Sequence, residues 1–154
     1  MKKTYVVLLF ITIFVRLAQS SEYKPLTDER RFGIGLTILG PTGLASLSAN
    51  YFVTPNIRVE TGAGLIGYFG GGTYHFGGSM IGKATPYTGV YFSRLWDLWD
   101  NKTEGFLYLP IGVGGCKKNG FTFHVELAFL RNIKESYNLL WGGLKFGYYP
   151  HKRP

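Results

Sequence analysis

The chain has 154 residues, with 17 Lys and Arg against 9 Asp and Glu, for a formal net charge of +8. That length bounds it to a single domain. Its 22 glycines, 17% aromatic and only 17% charged residues do not suit a soluble helical domain, and the glycines lack the three-residue period of collagen.

Residues 1–20 read as a secretory signal peptide: Lys2 and Lys3 precede the apolar run "VVLLFITIFV" (6–15), and Ala18-Gln19-Ser20 is a small-x-small cleavage site. The run falls short of the roughly 20 residues a membrane-spanning helix needs, and Arg16 closes it. Three of the 17 basic residues go with this segment, which lowers the charge from +8 to +5. Those that remain are scattered, with no Lys/Arg cluster of the nucleic-acid-binding kind, so no nucleic-acid partner is expected. Residues 21–30, "SEYKPLTDER", are polar and read as a loose N-terminal lead.

From 31 to 149 the repeated signal is period two, in segments of about ten residues separated by turn residues. "RFGIGLTIL" (31–39) sets Phe32, Ile34, Leu36 and Ile38 against Gly33, Gly35 and Thr37. "LASLSANYFV" (44–53) sets Leu47, Tyr51 and Val53 against Ser46, Ser48 and Asn50. "NIRVETGAGL" (56–65) puts Arg58 and Glu60 on one face and Ile57, Val59, Thr61 and Ala63 on the other. "YFGGGTYHFG" (68–77) opposes Tyr74 and Phe76 to Thr73 and His75. "TPYTGVYFSRLW" (85–96) does not declare which side faces out. "FLYLPIGV" (106–113) separates Leu107, Leu109, Ile111 and Val113 from Tyr108, Pro110 and Gly112. "FTFHVELAFL" (121–130) separates Phe121, Phe123, Val125, Leu127 and Phe129 from Thr122, His124, Glu126 and Ala128. "LLWGGLKFGYY" (139–149) separates Leu140, Leu144, Phe146 and Tyr148 from Trp141, Gly143, Lys145 and Gly147. The short connectors predict antiparallel hairpins in an up-and-down meander. Pro150 lacks a backbone N–H, so 150–154 forms a tail beyond the last strand.

The non-apolar face is mainly Gly, Ser, Thr and Asn, which suits the narrow interior of an eight-stranded barrel. The opposite face is nearly unbroken Leu, Ile, Val, Phe and Ala, which suits lipid. A closed barrel pairs every backbone group and leaves no free edge in hydrocarbon. The reading is therefore an all-β, eight-stranded antiparallel up-and-down transmembrane β-barrel over 31–149. Arg58, Glu60, His75, His124, Glu126 and Lys145 then point into the lumen, where buried charges need partners. A salt-bridged network is expected there, plugging the barrel rather than leaving a channel. Tyr51, Tyr68, Tyr74, Tyr87, Trp96, Tyr148 and Tyr149 lie near strand ends, where interfacial girdles are expected.

"NYFVTPNIRVETGAGL" (50–65), "GFLYLPIGVG" (105–114), "NGFTFHVELAFL" (119–130) and "WGGLKFGYY" (141–149) resemble strands of small bacterial outer-membrane β-barrels, broadly the OmpA/OmpX-like group. The resemblance implies an outer-membrane address after signal-directed export, contact with outer-membrane lipids, and assembly by the barrel-insertion machinery. Such barrels usually end on an aromatic residue, whereas here Tyr149 is followed by five more residues. A periplasmic N-terminus, as in that group, sends the loops 97–105 and 131–138 outward, where they offer contact to an envelope or extracellular partner.

The loop "LWDLWDNKTEG" (95–105) carries Asp97, Trp99, Asp100 and Glu104. Its carboxylates are oxygen ligands of the type hard cations take, but their spacing is not that of an EF-hand. A solvated surface loop is the favoured reading, and no metal or cofactor is expected. Cys116 has no cysteine to bridge with inside the chain. His124 or His75 with Glu126 and one of Ser46, Ser48 or Ser93 supplies the residue types of an acyl-transfer site. Three functions thus stand side by side: a structural or surface-interaction barrel without an open pore, a lipid-modifying barrel enzyme, and a soluble periplasmic barrel binding an apolar ligand. The first is favoured.

Overall fold

The computed structural model describes residues 24–96, 103–134 and 138–151. Eight antiparallel strands close in sequence order into one barrel: β1 Phe32–Leu39, β2 Ala45–Phe52, β3 Ile57–Gly64, β4 Gly67–His75, β5 Ala84–Trp96, β6 Thr103–Cys116, β7 Phe121–Asn132 and β8 Asn138–Tyr148. This is the all-β up-and-down architecture expected from the two-residue period. The seam joins the first strand to the last, with Thr37 opposite Lys145 and Gly35 opposite Gly147. Residues 24–31, Tyr149 and the β2–β3, β4–β5 and β6–β7 turns share one end, here called proximal. The other end is distal.

Burial is inverted relative to a water-soluble barrel. Leu140 is 73% exposed, Leu47 69%, and Ile111 and Leu127 61%, whereas Arg58 and Glu126 are 2% exposed, Lys145 4% and Glu60 5%. Side chains alternate across a strand, so one face of each strand joins the apolar outer wall and the other joins the lumen. Phe121, Phe123, Val125, Leu127 and Phe129 all point outward on β7, a stretch of roughly 27 Å along the strand at ~3.4 Å per residue.

β6 runs well beyond the span that periodicity predicts. β6 takes Thr103–Gly105 from the expected distal loop and Gly114–Cys116 from the expected proximal turn. Its glycines are ladder residues, with Gly114 paired to Thr85 and His124, and Gly115 to Ala84 and Phe123. Gly114 is glycine because the His124 ring fills the lumen beside it, not because the chain turns there, and Gly115 faces the outer wall.

The N-terminal lead is not loose over its described part. A single turn, α1 (Leu26–Glu29), lies across the proximal mouth, with Leu26 buried against Phe52, Cys116 and Tyr149. Leu26 N–H donates to Ser79 O at 2.8 Å. Arg30 Nη1 donates to Tyr149 O at 2.6 Å and Nη2 to Lys118 O at 3.0 Å.

Candidate functional site

The lumen gathers the polar residues whose period was legible in the sequence. β3 supplies Arg58 and Glu60, β4 His75, β7 His124 and Glu126, and β8 Lys145, and all six side chains are buried. Four of them carry full charge and alternate in sign. Arg58 Nη2 lies 3.4 Å from Glu60 Oε2, an ion-pair distance without hydrogen-bond geometry. Lys145 Nζ lies 3.3 Å from Glu60 Oε2 and 3.6 Å from Glu126 Oε2. The quartet thus holds two positive and two negative groups, the balance a desolvated cluster requires.

Three tyrosines complete it. Tyr91 OH donates to Glu60 Oε2 at 2.7 Å, Tyr87 OH to Glu126 Oε2 at 2.6 Å, and Tyr108 OH to Glu126 Oε1 at 2.8 Å. Lys145 Nζ also stands 4.5 Å from the Tyr91 ring centroid, within cation–π range. Sequence reasoning missed Tyr87 and Tyr91 because both faces of β5 carry a mixture of aromatic and polar side chains. Their signal was Gly89 between them, a small residue on the crowded side. The girdle expected at Tyr87 and Tyr149 is corrected here: both rings are buried inside the barrel. Tyr51, Tyr68, Tyr74, Trp96 and Tyr148 are exposed on the outer wall.

His75 and His124 sit proximal to the quartet. The His75 ring stacks on Tyr87 at 5.2 Å, and Tyr87 meets His124 edge-on at 5.5 Å. Thr73 Oγ1 and His75 Nε2 are 3.3 Å apart. A Cβ at Gly114 would fall 1.9 Å from His124 Nδ1, and one at Gly112 would fall 2.8 Å from Tyr87 Cζ. The imidazole is therefore packed against backbone, with no room at Nδ1 for a reacting group. Ser46 and Ser93 hydroxyls lack hydrogen-bond partners. Among the described residues no serine–histidine pair of the acyl-transfer kind is assembled, and no group of three metal-ligating side chains occurs.

The lumen is filled along its length. Leu26, Phe52, Cys116 and Tyr149 close the proximal end. Phe69, Tyr91, Tyr108 and Ala128 pack distal to the ionic layer, with Leu130 and Trp141 against them. Glu104 stands on β6 opposite Leu95 rather than in a loop, and accepts a hydrogen bond from Asn132 Nδ2 at 2.8 Å. Asp97, Trp99 and Asp100 lie outside the described residues. A hollow of about 870 Å³ lies on the outer wall, between Ile34, Leu36, Leu47, Ala63 and Tyr148.

A solved structure with the same arrangement is the N-terminal β-barrel domain of Pseudomonas aeruginosa OprF, which superposes with a TM-score of 0.59 at 15% sequence identity over 79% of this chain and 99% of that domain. The chain has that domain's barrel fold. The resemblance to small outer-membrane barrels read in the sequence is borne out at the level of fold. No family model and no curated protein sequence matches the chain.

Proposed function

We propose that the chain is an integral outer-membrane β-barrel with a structural or surface-interaction role and no open pore. The observation that carries this reading is the inverted wall: Leu47, Ile111, Leu127 and Leu140 face out while Arg58, Glu60, Glu126 and Lys145 are buried. Leaving a Leu- or Ile-sized side chain in water forfeits about 1.5–3 kcal/mol relative to burying it, so a whole wall of them calls for a hydrocarbon solvent. The closed ladder meets the other demand of that solvent, since a closed barrel has no free strand edge. Sealing by the ionic layer and the two apolar plugs supports the absence of a channel, as does strand number, since eight strands enclose only enough space for side chains.

In this reading residues 1–20 direct export, the insertion machinery closes the barrel, and the proximal end faces the periplasm. The distal loops then meet the outside and any envelope or extracellular partner. The test is membrane fractionation followed by gel electrophoresis with and without boiling. The chain is expected in the outer-membrane fraction, resistant to a high-pH wash, with a mobility that shifts on boiling. Release by the wash without detergent would overturn the reading in favour of a soluble barrel.

A further inference from the structure

The proximal rim of the outer wall carries a belt of exposed aromatic rings, formed by Phe32 on β1, Tyr51 on β2, Tyr74 on β4, Phe121 on β7 and Tyr148 on β8. Phe76 follows β4 and packs edge-on against Tyr74 at 5.3 Å. Such belts mark the level of lipid headgroups. β3 contributes Ile57 in place of a ring, and over β5 and β6 the outward residues at this level shrink to Ala84 and Gly115, paired across the ladder. The missing rings leave a groove of about 350 Å³, floored by Ala84 and Gly115 and walled by Val113, Phe123 and Val125. Lys83 and Lys117 line the same groove. Lys117 Nζ stands 5.9 Å from the Phe121 ring centroid, at the edge of the gap. Lys118 follows it, also exposed, and Arg30 is tied to the Lys118 carbonyl, which adds positive charge to this corner. The acids described at this end, Asp28 and Glu29, belong to α1, and Glu29 lies 3.7 Å from His151.

We propose that this gap is a binding site for one anionic phospholipid. Its phosphate sits between Lys83 and Lys117, and an acyl chain lies over Ala84 and Gly115 in place of the absent rings. The occupant follows from the two halves of the site. The floor is apolar and faces the bilayer, and the rim is cationic at headgroup height. A lipid with a negatively charged head matches both, and basic pockets beside membrane-spanning elements bind such heads. The larger hollow on the outer wall has no charged residue in its lining and selects no headgroup. The site rests on the membrane reading above and adds a specific lipid to it.

The experiment is native mass spectrometry of the full chain in mild detergent, with phosphatidylglycerol, cardiolipin, lipid A or phosphatidylcholine added at equal concentration. Wild type is expected to retain one phosphatidylglycerol or cardiolipin at least tenfold more than phosphatidylcholine. Lys83→Gln with Lys117→Gln should abolish that preference, Ala84→Leu should reduce retention with both lysines intact, and Lys134→Gln at the distal end should change neither. A boiling-dependent shift in gel mobility verifies that each variant is a closed barrel. A shifting, detergent-requiring wild type that holds no anionic lipid, holds phosphatidylcholine equally, or prefers lipid A overturns the site alone. Unchanged preference in the double lysine variant also overturns it. A chain that stays soluble without detergent overturns the membrane reading, and the site falls with it.

Discussion

Lys145 and Glu60 are 85 residues apart in the chain and 3.3 Å apart across the lumen. The contact joins the last strand to the third through the barrel interior rather than along the sheet. Lys145 also lies 3.6 Å from Glu126, so one ammonium serves two carboxylates. Lys145→Met would leave Glu126 without a cation and Glu60 with Arg58 alone. Breaking a buried pair by removing one partner costs about 3–5 kcal/mol, and a loss of that size is expected in urea unfolding from lipid vesicles. Adding Glu126→Gln to Lys145→Met should recover part of it, because the uncompensated charge is then gone.

Gly114 and His124 make a second test. A methyl at 114 cannot coexist with the imidazole where it stands. Overpacking costs typically about 1–3 kcal/mol, so Gly114→Ala is expected to lower stability by at least that much. His124→Ala in the same chain should restore most of the loss. A double-mutant cycle of vesicle unfolding measures the coupling; additive effects would mean that the ring and the glycine are not in contact.

Position along the outer wall sets the cost of a charge there. Leu127→Arg lies in the middle of the outward row on β7, and Phe121→Arg at its proximal end. Arg at a bilayer midplane costs about 2–4 kcal/mol and about 0–1 near an interface. Leu127→Arg is therefore expected to be several-fold more damaging to unfolding free energy in vesicles. Equal, small effects would mean that water surrounds this wall.

The proximal plug has its own handle. Arg30 makes two hydrogen bonds to backbone carbonyls, at 2.6 and 3.0 Å, and bonds of this charged kind contribute about 1.5–3 kcal/mol each. Arg30→Ala is expected to raise hydrogen-exchange rates of amides in residues 24–31 by more than tenfold. Amides of β3 and β7 beside the ionic layer should remain protected.

The barrel was legible because its two faces are chemically pure over most strands. Arg58 and Glu60 on β3, and His124 and Glu126 on β7, keep strict alternation with apolar neighbours, and that phase alone placed them inside. β5 was not legible in the same way, since Thr85, Tyr87, Gly89, Tyr91 and Ser93 alternate with Pro86, Thr88, Val90, Phe92 and Arg94 and neither set is apolar. Its phase comes from the cross-barrel partners Glu60 and Glu126, which no local window contains. Gly114 looked like part of a turn because a glycine chosen for a neighbour's bulk is indistinguishable in sequence from one chosen for its backbone freedom. Leu26 looked like part of a solvated leader because its burial depends on Phe52, Cys116 and Tyr149, all distant in the chain.

The seam between β1 and β8 carries a consequence for assembly. Thr37 meets Lys145, so the first strand has only β2 to pair with until nearly the whole chain exists. Contacts of such long sequence separation form slowly. In the interval both lateral borders of the unfinished sheet display unsatisfied amides and carbonyls, the groups through which strands stick to other chains. Until the ring shuts, those two borders are the places where the chain is most open to pairing with the wrong strand.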